Sequence, residues 1–438
     1  MSNPEFKRNL WLSFSTHRLI GMPALLALTF LAVGLADRQD KAAENIYTAA
    51  ISLFIFIVWL WGARNANATI VDELRDKTWD QQRMSALDPW VMTWGKLFGS
   101  TSFNWYGGLM CLLVAVFAGI SADKPDIFVT VLSLCAVGVM LHAALIVLNL
   151  HTSQFESRLI QRGGMGWLVI IFVFMFMPAF TINQTQLISW WGMDFARPLF
   201  WLDSALLFAA CATFAAWRVV SNALQVRTQP WAWPAFAFIL AFYLAGFLQN
   251  IGGMDRIQPL WLVGLFVSVG MTYAAMFTEP STLLRWRKLR LLQSKEDWRG
   301  WLENLPLWPT TLALSFLFAF LVVLTAHDMH PGHGRMDFLQ PQHAITLALM
   351  LLRDACVLLF FSFAANSKRS LATAILYLTV LNMLLPFLAG VAGLDALRYF
   401  FLPFQEANDP WSSVLVMTIH TGIAIALVNW RLRTSEQA

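Results

Sequence analysis

Arg353 and Asp354 fall midway along an apolar stretch near 344–366, and His142 holds the comparable place in a stretch near 126–150. Ionisable groups inside hydrocarbon are costly, and by default they suggest a pathway or a proton relay. Adjacent residues of a helix point about 100° apart, so Arg353 and Asp354 are expected to need partners elsewhere and not to pair with each other alone. A polar lining of a translocation path, a latch between two halves, or a structural contact inside a helix bundle would each account for these three residues. Asp203, early in the stretch 198–218, is expected at the interface.

A second group lies in the segment His327-DMHPGHGRMDFLQPQH, where His327, His330, His333 and His343 stand among Asp328, Asp337, Met329 and Met336. Imidazoles three apart beside carboxylates can hold zinc or copper, and thioethers favour Cu(I). Pro331, Gly332 and Gly334 make the segment pliant, and it contains no cysteine. The expectation is a polar loop without metal, with a site on His327, His330 and His333 as the alternative.

The third group is the polar segment Val71-DELRDKTWDQQRMSALDPWVMTWGKLFGS. Its acids come early, Lys96 stands where the chain turns apolar again, and Trp79, Trp90 and Trp94 offer anchors at headgroup level. Such a segment can lie flat and present a surface to a partner. The bland alternative is a solvated loop with interfacial tryptophans.

Composition says what must position these residues. The 438 residues are 58% apolar and 13% charged, against roughly 45–50% and 25% in globular proteins. That excludes a water-soluble body of this size. The apolar residues come in runs long enough to cross ~30 Å of hydrocarbon as helices, and helices are the spanning element because backbone groups in lipid must be satisfied within the segment. The reading is an all-α polytopic membrane protein of about 12 transmembrane helices. Spans are expected near 19–36, 46–66, 97–121, 126–150, 164–184, 198–218, 231–250, 258–279, 305–326, 344–366, 371–393 and 411–431. The first run is long for the core of a signal peptide and is expected to be retained. Cys111, Cys135, Cys211 and Cys356 all lie in apolar runs and read as reduced, buried thiols.

Of the 30 Lys and Arg, seven (Arg38, Lys41, Lys124, Arg197, Arg256, Arg335, Arg398) fall on one side of this arrangement and Arg353 falls within a span. The other 22 share the side that holds both termini, which the positive-inside rule makes the cytoplasm. The net charge of +4 reflects these loops and not a nucleic-acid surface. Before the first span, Phe6, Leu10 and Phe14 recur at i, i+4, i+8 with Lys7 and Arg8 opposite, as in a short helix lying in the interface (1–18). Two inner connections, 67–96 and 280–304, stand six spans apart. This spacing predicts two six-helix halves, 19–228 and 229–438, in the same orientation.

The 71–100 segment resembles the cytoplasmic loop of ABC-2 type permeases, the membrane subunits of ATP-binding-cassette exporters. That family's pattern, E-x-x-x-G-T-L-E-L-L-L-A-T-P-L-S-P-W-E-x-x-x-G-K, aligns without a gap. Glu73, Thr78, Asp80 (for Glu), Leu87, Pro89, Trp90, Gly95 and Lys96 fall on their counterparts, while Lys77, Gln81, Gln82, Ala86 and Val91 depart from it. Asn3-PEFKRNL is similar to the family's elbow-helix start, and Leu358-LFFSFAANSKRSLATAILYL and Leu427-VNWRLR are similar to its later segments. Trp301-LENLPLWP echoes the loop in the second half, with Glu303 and Pro306 the best matches.

The resemblance implies a non-catalytic permease with two fused halves in a bacterial cytoplasmic (inner) membrane. Its loop would form a coupling helix seated on a separate ATPase subunit, with Glu73 and Asp80 pairing to basic groups there, Pro89 stopping the helix and Trp90 anchoring the turn. No G-x-x-x-x-G-K-[S/T] loop occurs in the chain, so Mg-ATP would be bound by the partner and no cofactor by this chain. Membrane lipids and a second permease copy are the other expected partners; a lipidic or hydrophobic substrate is expected. Two alternatives stay open: an ion-coupled transporter relaying through His142, Arg353 and Asp354, and a metal-handling protein built on the outer histidines.

Overall fold

The computed structural model describes residues 3–36, 41–76, 78–84, 87–153, 187–226, 228–248, 258–279, 281–325, 341–363, 370–402 and 410–436. These residues are almost wholly helical, apart from loops and two short strands, Leu187–Trp190 and Met193–Ala196. Nine of the described helices are long and apolar enough to cross a membrane, or ten if the bent pair Trp298–Asn304 and Trp308–Leu324 is one broken span. The chain is thus an all-α polytopic membrane protein. The expected span at 164–184 lies outside the described residues. The one at 231–250 appears as a helix of 14 residues, Ala232–Ala245, about 21 Å long and short of the ~30 Å core.

Contacts within the chain divide it into two compact units, Met1–Ile188 with Asp194–Thr228, and Ser189–Met193 with Gln229–Ala438. Unit 1 contains α1 (Pro4–Ser13), α2 (Thr16–Leu35), and α3 (Ala42–Phe54), which runs through the π-helical turn π1 (Ile55–Trp61) into α4 (Gly62–Arg75). It continues with α5 (Thr78–Arg83), α6 (Pro89–Gly99), α7 (Ser102–Ser121), α8 (Ile127–Ser153) and α9 (Arg197–Ala223). α3 packs along α7, and α8 along α9. Phe54, Val58, Trp59, Cys111, Leu134 and Val137 form the core between them. Outward positions stay apolar, as with the exposed Ile20, Leu25, Leu28, Leu31 and Leu35 of α2. A helix that is apolar all round needs a surrounding that is apolar too.

Unit 2 contains α10 (Ala232–Ala245), α11 (Gln258–Thr278), α12 (Leu283–Ser294), α13 (Trp298–Asn304) and α14 (Trp308–Leu324). It ends with α15 (Pro341–Ser362), α16 (Ser370–Thr379), the π-helical turn π2 (Val380–Leu384), α17 (Leu385–Val391), α18 (Asp395–Phe401) and α19 (Pro410–Glu436). Here α11 packs along α14, and α15 along α19. Each unit thus pairs a span with the one that follows its long connection, and the next span with the unit's last. The 94° bend between α13 and α14 has a local cause. Pro306 drives Leu305 into extended backbone (φ −62°, ψ 131°), and Pro309 sits in the first turn of α14, where its missing N–H costs nothing. Cys111 and Cys356 are buried, Cys135 and Cys211 half-buried, and all four are free thiols.

Candidate functional site

The polar segment after the second span is not an open loop: it is a helix, a short helix and a helix (α4, α5, α6), clamped by the N-terminal helix. α1 starts on an N-cap, Asn3, whose Oδ1 accepts from the Phe6 N–H at 3.1 Å, with Pro4 pre-set at the first position. The same side chain donates through Nδ2 to the Val91 carbonyl at 2.6 Å, tying the start of α1 to α6. The helices meet at Gly95 and Gly99. A Cβ at Gly95 would stand 2.7 Å from Cβ of Glu5, and one at Gly99 would stand 2.9 Å from Cβ of Asn9. Two glycines four apart put one face of α6 within backbone reach of α1, as small residues do between helices in membranes.

Into that contact the chain builds four charges. Lys96, only 1% exposed, meets Oε1 of Glu5 at 3.3 Å and, more closely, the Glu73 carboxylate. Arg8 donates to Oε1 of Glu5 at 3.1 Å and also to Glu73, so it bridges both acids from the rim. Asn9 Nδ2 adds hydrogen bonds to Glu5 (3.2 Å) and to the Gly95 carbonyl (3.4 Å). The Lys96 ammonium also lies 5.0 Å from the centre of the Trp79 ring, within cation–π range. Two carboxylates and two cations balance, as burial requires, because an unpaired charge there would be strongly destabilising. Thr78 Oγ1 donates to the Glu73 carbonyl at 3.2 Å, capping an acceptor that the end of α4 leaves open.

This geometry corrects several expectations. Glu73 is buried and ion-paired inside the chain with Lys96 and Arg8, not presented at an open surface. Pro89 does not stop a helix; it opens α6, and Asp88 Oδ1 caps that helix by accepting from the N–H groups of Trp90 (2.8 Å) and Val91 (3.3 Å). The inward face of α1 is the polar one, Glu5 and Asn9, while Phe6, Leu10 and Phe14 are half-buried and Trp11 and Leu12 are exposed. Trp90 is 42% exposed and begins an aromatic row on α6, edge-on to Trp94 at 5.7 Å, with Trp94 stacked on Phe98 at 4.8 Å. Met84, just after α5, is 83% exposed. Asp80 lies on α5, its side chain outside the described residues. Sequence reasoning missed Glu5 and Arg8; the i, i+4 pair Glu5 and Asn9 facing Gly95-x-x-x-Gly99 was the signal available.

In unit 2 an acid at the end of the span before the long connection, Glu279, is also paired inside the chain. Glu279 takes Arg285 Nη1 at 2.7 Å and accepts the Leu307 N–H at 2.7 Å, while Arg285 Nε donates to the Asn304 carbonyl at 2.9 Å. One carboxylate thus caps α14 and holds the corner at which Pro306 is buried. Glu303 is half-buried on α13.

Inside the spans, Arg353 Nε and Nη2 reach Asp354 Oδ1 at 2.8 and 2.6 Å, across the 100° offset of neighbouring helix positions. The long arginine stem curls round the helix to its neighbour. Outside partners complete the set, Tyr273 donating to Asp354 Oδ2 at 2.6 Å and Asn382 Oδ1 accepting from Arg353 Nη2 at 2.6 Å. Asn382 lies in π2, and π-turns gather at functional sites. In unit 1, His142 Nε2 bonds the Val58 carbonyl at 2.9 Å and Asn104 Nδ2 the Ile57 carbonyl at 2.9 Å. Both acceptors belong to π1, so these side chains bond carbonyls in a turn whose register is broken. The histidines 327, 330 and 333 lie outside the described residues, and among the described ones no group of three or more His, Cys, Asp or Glu is placed to hold a metal. Compared with known proteins, the chain matches no family model, no curated protein and no solved structure.

Proposed function

We propose that this chain is the membrane permease of an ATP-driven exporter, moving a lipidic or hydrophobic substrate across a bacterial cytoplasmic membrane. Both termini would face the cytoplasm. A separate ATPase subunit would bind and hydrolyse Mg-ATP, and the chain itself would carry out no reaction. The observation that carries the reading is the ionic latch of Glu5, Arg8, Glu73 and Lys96. It fuses α1, α4 and α6 into one stiff piece while leaving Met84 and Trp90 exposed at the tip. A push on that tip would be passed to the spans on either side as a rigid-body tilt, where a pliant loop would absorb it. Thr78, Pro89 and Lys96 serve to hold the tip in shape; Met84 and Trp90 make the contact.

The test is affinity capture of the full chain from its native membranes, with mass identification of what comes with it. A nucleotide-binding protein carrying a Walker lysine is expected in the wild-type capture and is expected to be lost from Met84→Glu/Trp90→Ala. Transport by the purified chain alone in vesicles would refute the reading.

One observation favours a second reading, ion-coupled transport: the buried Arg353–Asp354 pair reaches an asparagine in a π-turn, where a change of register would alter the pairing. It calls for transport that persists without any ATPase, collapses with the proton gradient and is lost in Asp354→Asn.

A further inference from the structure

The stretch 281–295 holds Arg285, Arg287, Lys288, Arg290 and Lys295 and not one acid. Arg285 turns inward to Glu279, and the other four are exposed. Along α12 and its C-cap Lys295, the positions 284, 287, 288, 291 and 295 follow the i, i+3, i+4, i+7, i+11 spacing that keeps one face of a helix. Leu284 and Leu291 on that face are 75% and 54% exposed, while Leu289 on the other is buried. Leucines flanked by long cationic side chains form the face of a helix lying in a membrane interface, the stems along the acyl boundary and the charges among the headgroups. α12 begins five residues beyond the last residue of the spanning helix α11, so it starts at that level. Trp298 on α13, 59% exposed, adds an interfacial aromatic. In the corresponding connection of unit 1 the exposed Arg75 is paired with Asp72 at 3.1 Å and Asp76 at 3.4 Å.

We propose that the face running from Leu284 to Lys295 is a binding surface for anionic lipid headgroups, held by Arg287, Lys288 and Lys295, with the exposed Arg290 off that face adding to the local positive charge. The inference needs only that the chain sits in a bilayer and does not depend on any ATPase. Each cation near an anionic surface adds an attraction of similar size, so neutralising four of them should weaken the preference about tenfold or more.

The full-length chain in detergent is titrated with phosphatidylglycerol and, separately, phosphatidylcholine, and retained lipid is counted by native mass spectrometry. Wild type is expected to retain phosphatidylglycerol in clear preference. Arg287→Gln/Lys288→Gln/Arg290→Gln/Lys295→Gln should lose that preference while retaining phosphatidylcholine as before, which reports an intact fold. Lys288→Gln/Lys295→Gln should fall between, and Arg287→Lys/Arg290→Lys should behave as wild type. Equal retention of both lipids by wild type, as expected if the face instead docks an acidic protein, overturns the proposal. So does an unchanged preference in the fourfold variant.

Discussion

Lys96 is the residue on which the N-terminal latch turns. It is the one cation of the set with no route to solvent, and Glu5 and Glu73 both lean on it. Replacing it with methionine leaves two carboxylates facing each other with only the half-exposed Arg8 between them. Lys96→Met should therefore destabilise the protein by about 3–5 kcal/mol, read as a lowered unfolding midpoint in detergent. Glu5→Gln keeps the shape and spares the Lys96–Glu73 pair, so it should cost less, about 1–3 kcal/mol. In unit 2, Asp354→Asn leaves Arg353 buried with only neutral partners and should cost about as much as the loss of Lys96. The sequence marked Lys96, Glu73, Arg353 and Asp354 by type and position. It could not tell that Glu73 faces inward, since a helix-borne acid beside a membrane can serve solvent or core equally well.

At the scale of elements, the joints are made by small and rigid residues. Gly95 and Gly99 let α1 lie on α6, so Gly95→Leu should force α1 away at a cost of about 1–3 kcal/mol. Lys7 and Arg8 are exposed already, so what α1 gains on leaving α6 is a looser backbone, and limited trypsin digestion should then cut it faster than in wild type; an unchanged rate would mean α1 is held by other contacts. The corner between α13 and α14 is set by Pro306 and held by Glu279. Glu279→Ala removes the cap on the Leu307 N–H and the partner of Arg285 together, and a loss of about 2 kcal/mol or more is expected by chemical unfolding. The resemblance predicts that Pro89 ends a helix, and it marks Pro306 only as a match to the same motif. Which side of each proline the helix occupies is not legible in the sequence, because proline is as much at home in a first turn as just beyond a last one.

At the scale of the whole molecule, the testable quantity is sidedness. The excess of Lys and Arg in alternate connections predicts that reporters fused at either terminus, or within 67–96 and 280–304, read as cytoplasmic, and that those near 38–41 and 124 read as external. A reversed pattern would remove both the ATPase reading and the sense of the charge bias. The two compact units each pair their spans in the same order, yet their long connections differ. The first buries Glu73 and Lys96 in a latch and bares a methionine and a tryptophan; the second bares a cationic stripe.

Composition and run length alone determined that this is a helical membrane protein, because crossing hydrocarbon demands about twenty apolar residues and internally satisfied backbone, and both can be counted along the chain. The positions of the costly charges were equally plain. Their partners were not. Glu5 lies 91 residues from Lys96 and Tyr273 lies 81 from Asp354, and nothing local to either residue encodes which distant helix will pack against it. That choice is made by the joint fit of small residues, stems and charges once the helices meet, so only the tertiary structure could turn Glu73 inward and bring Arg353 round to its neighbour.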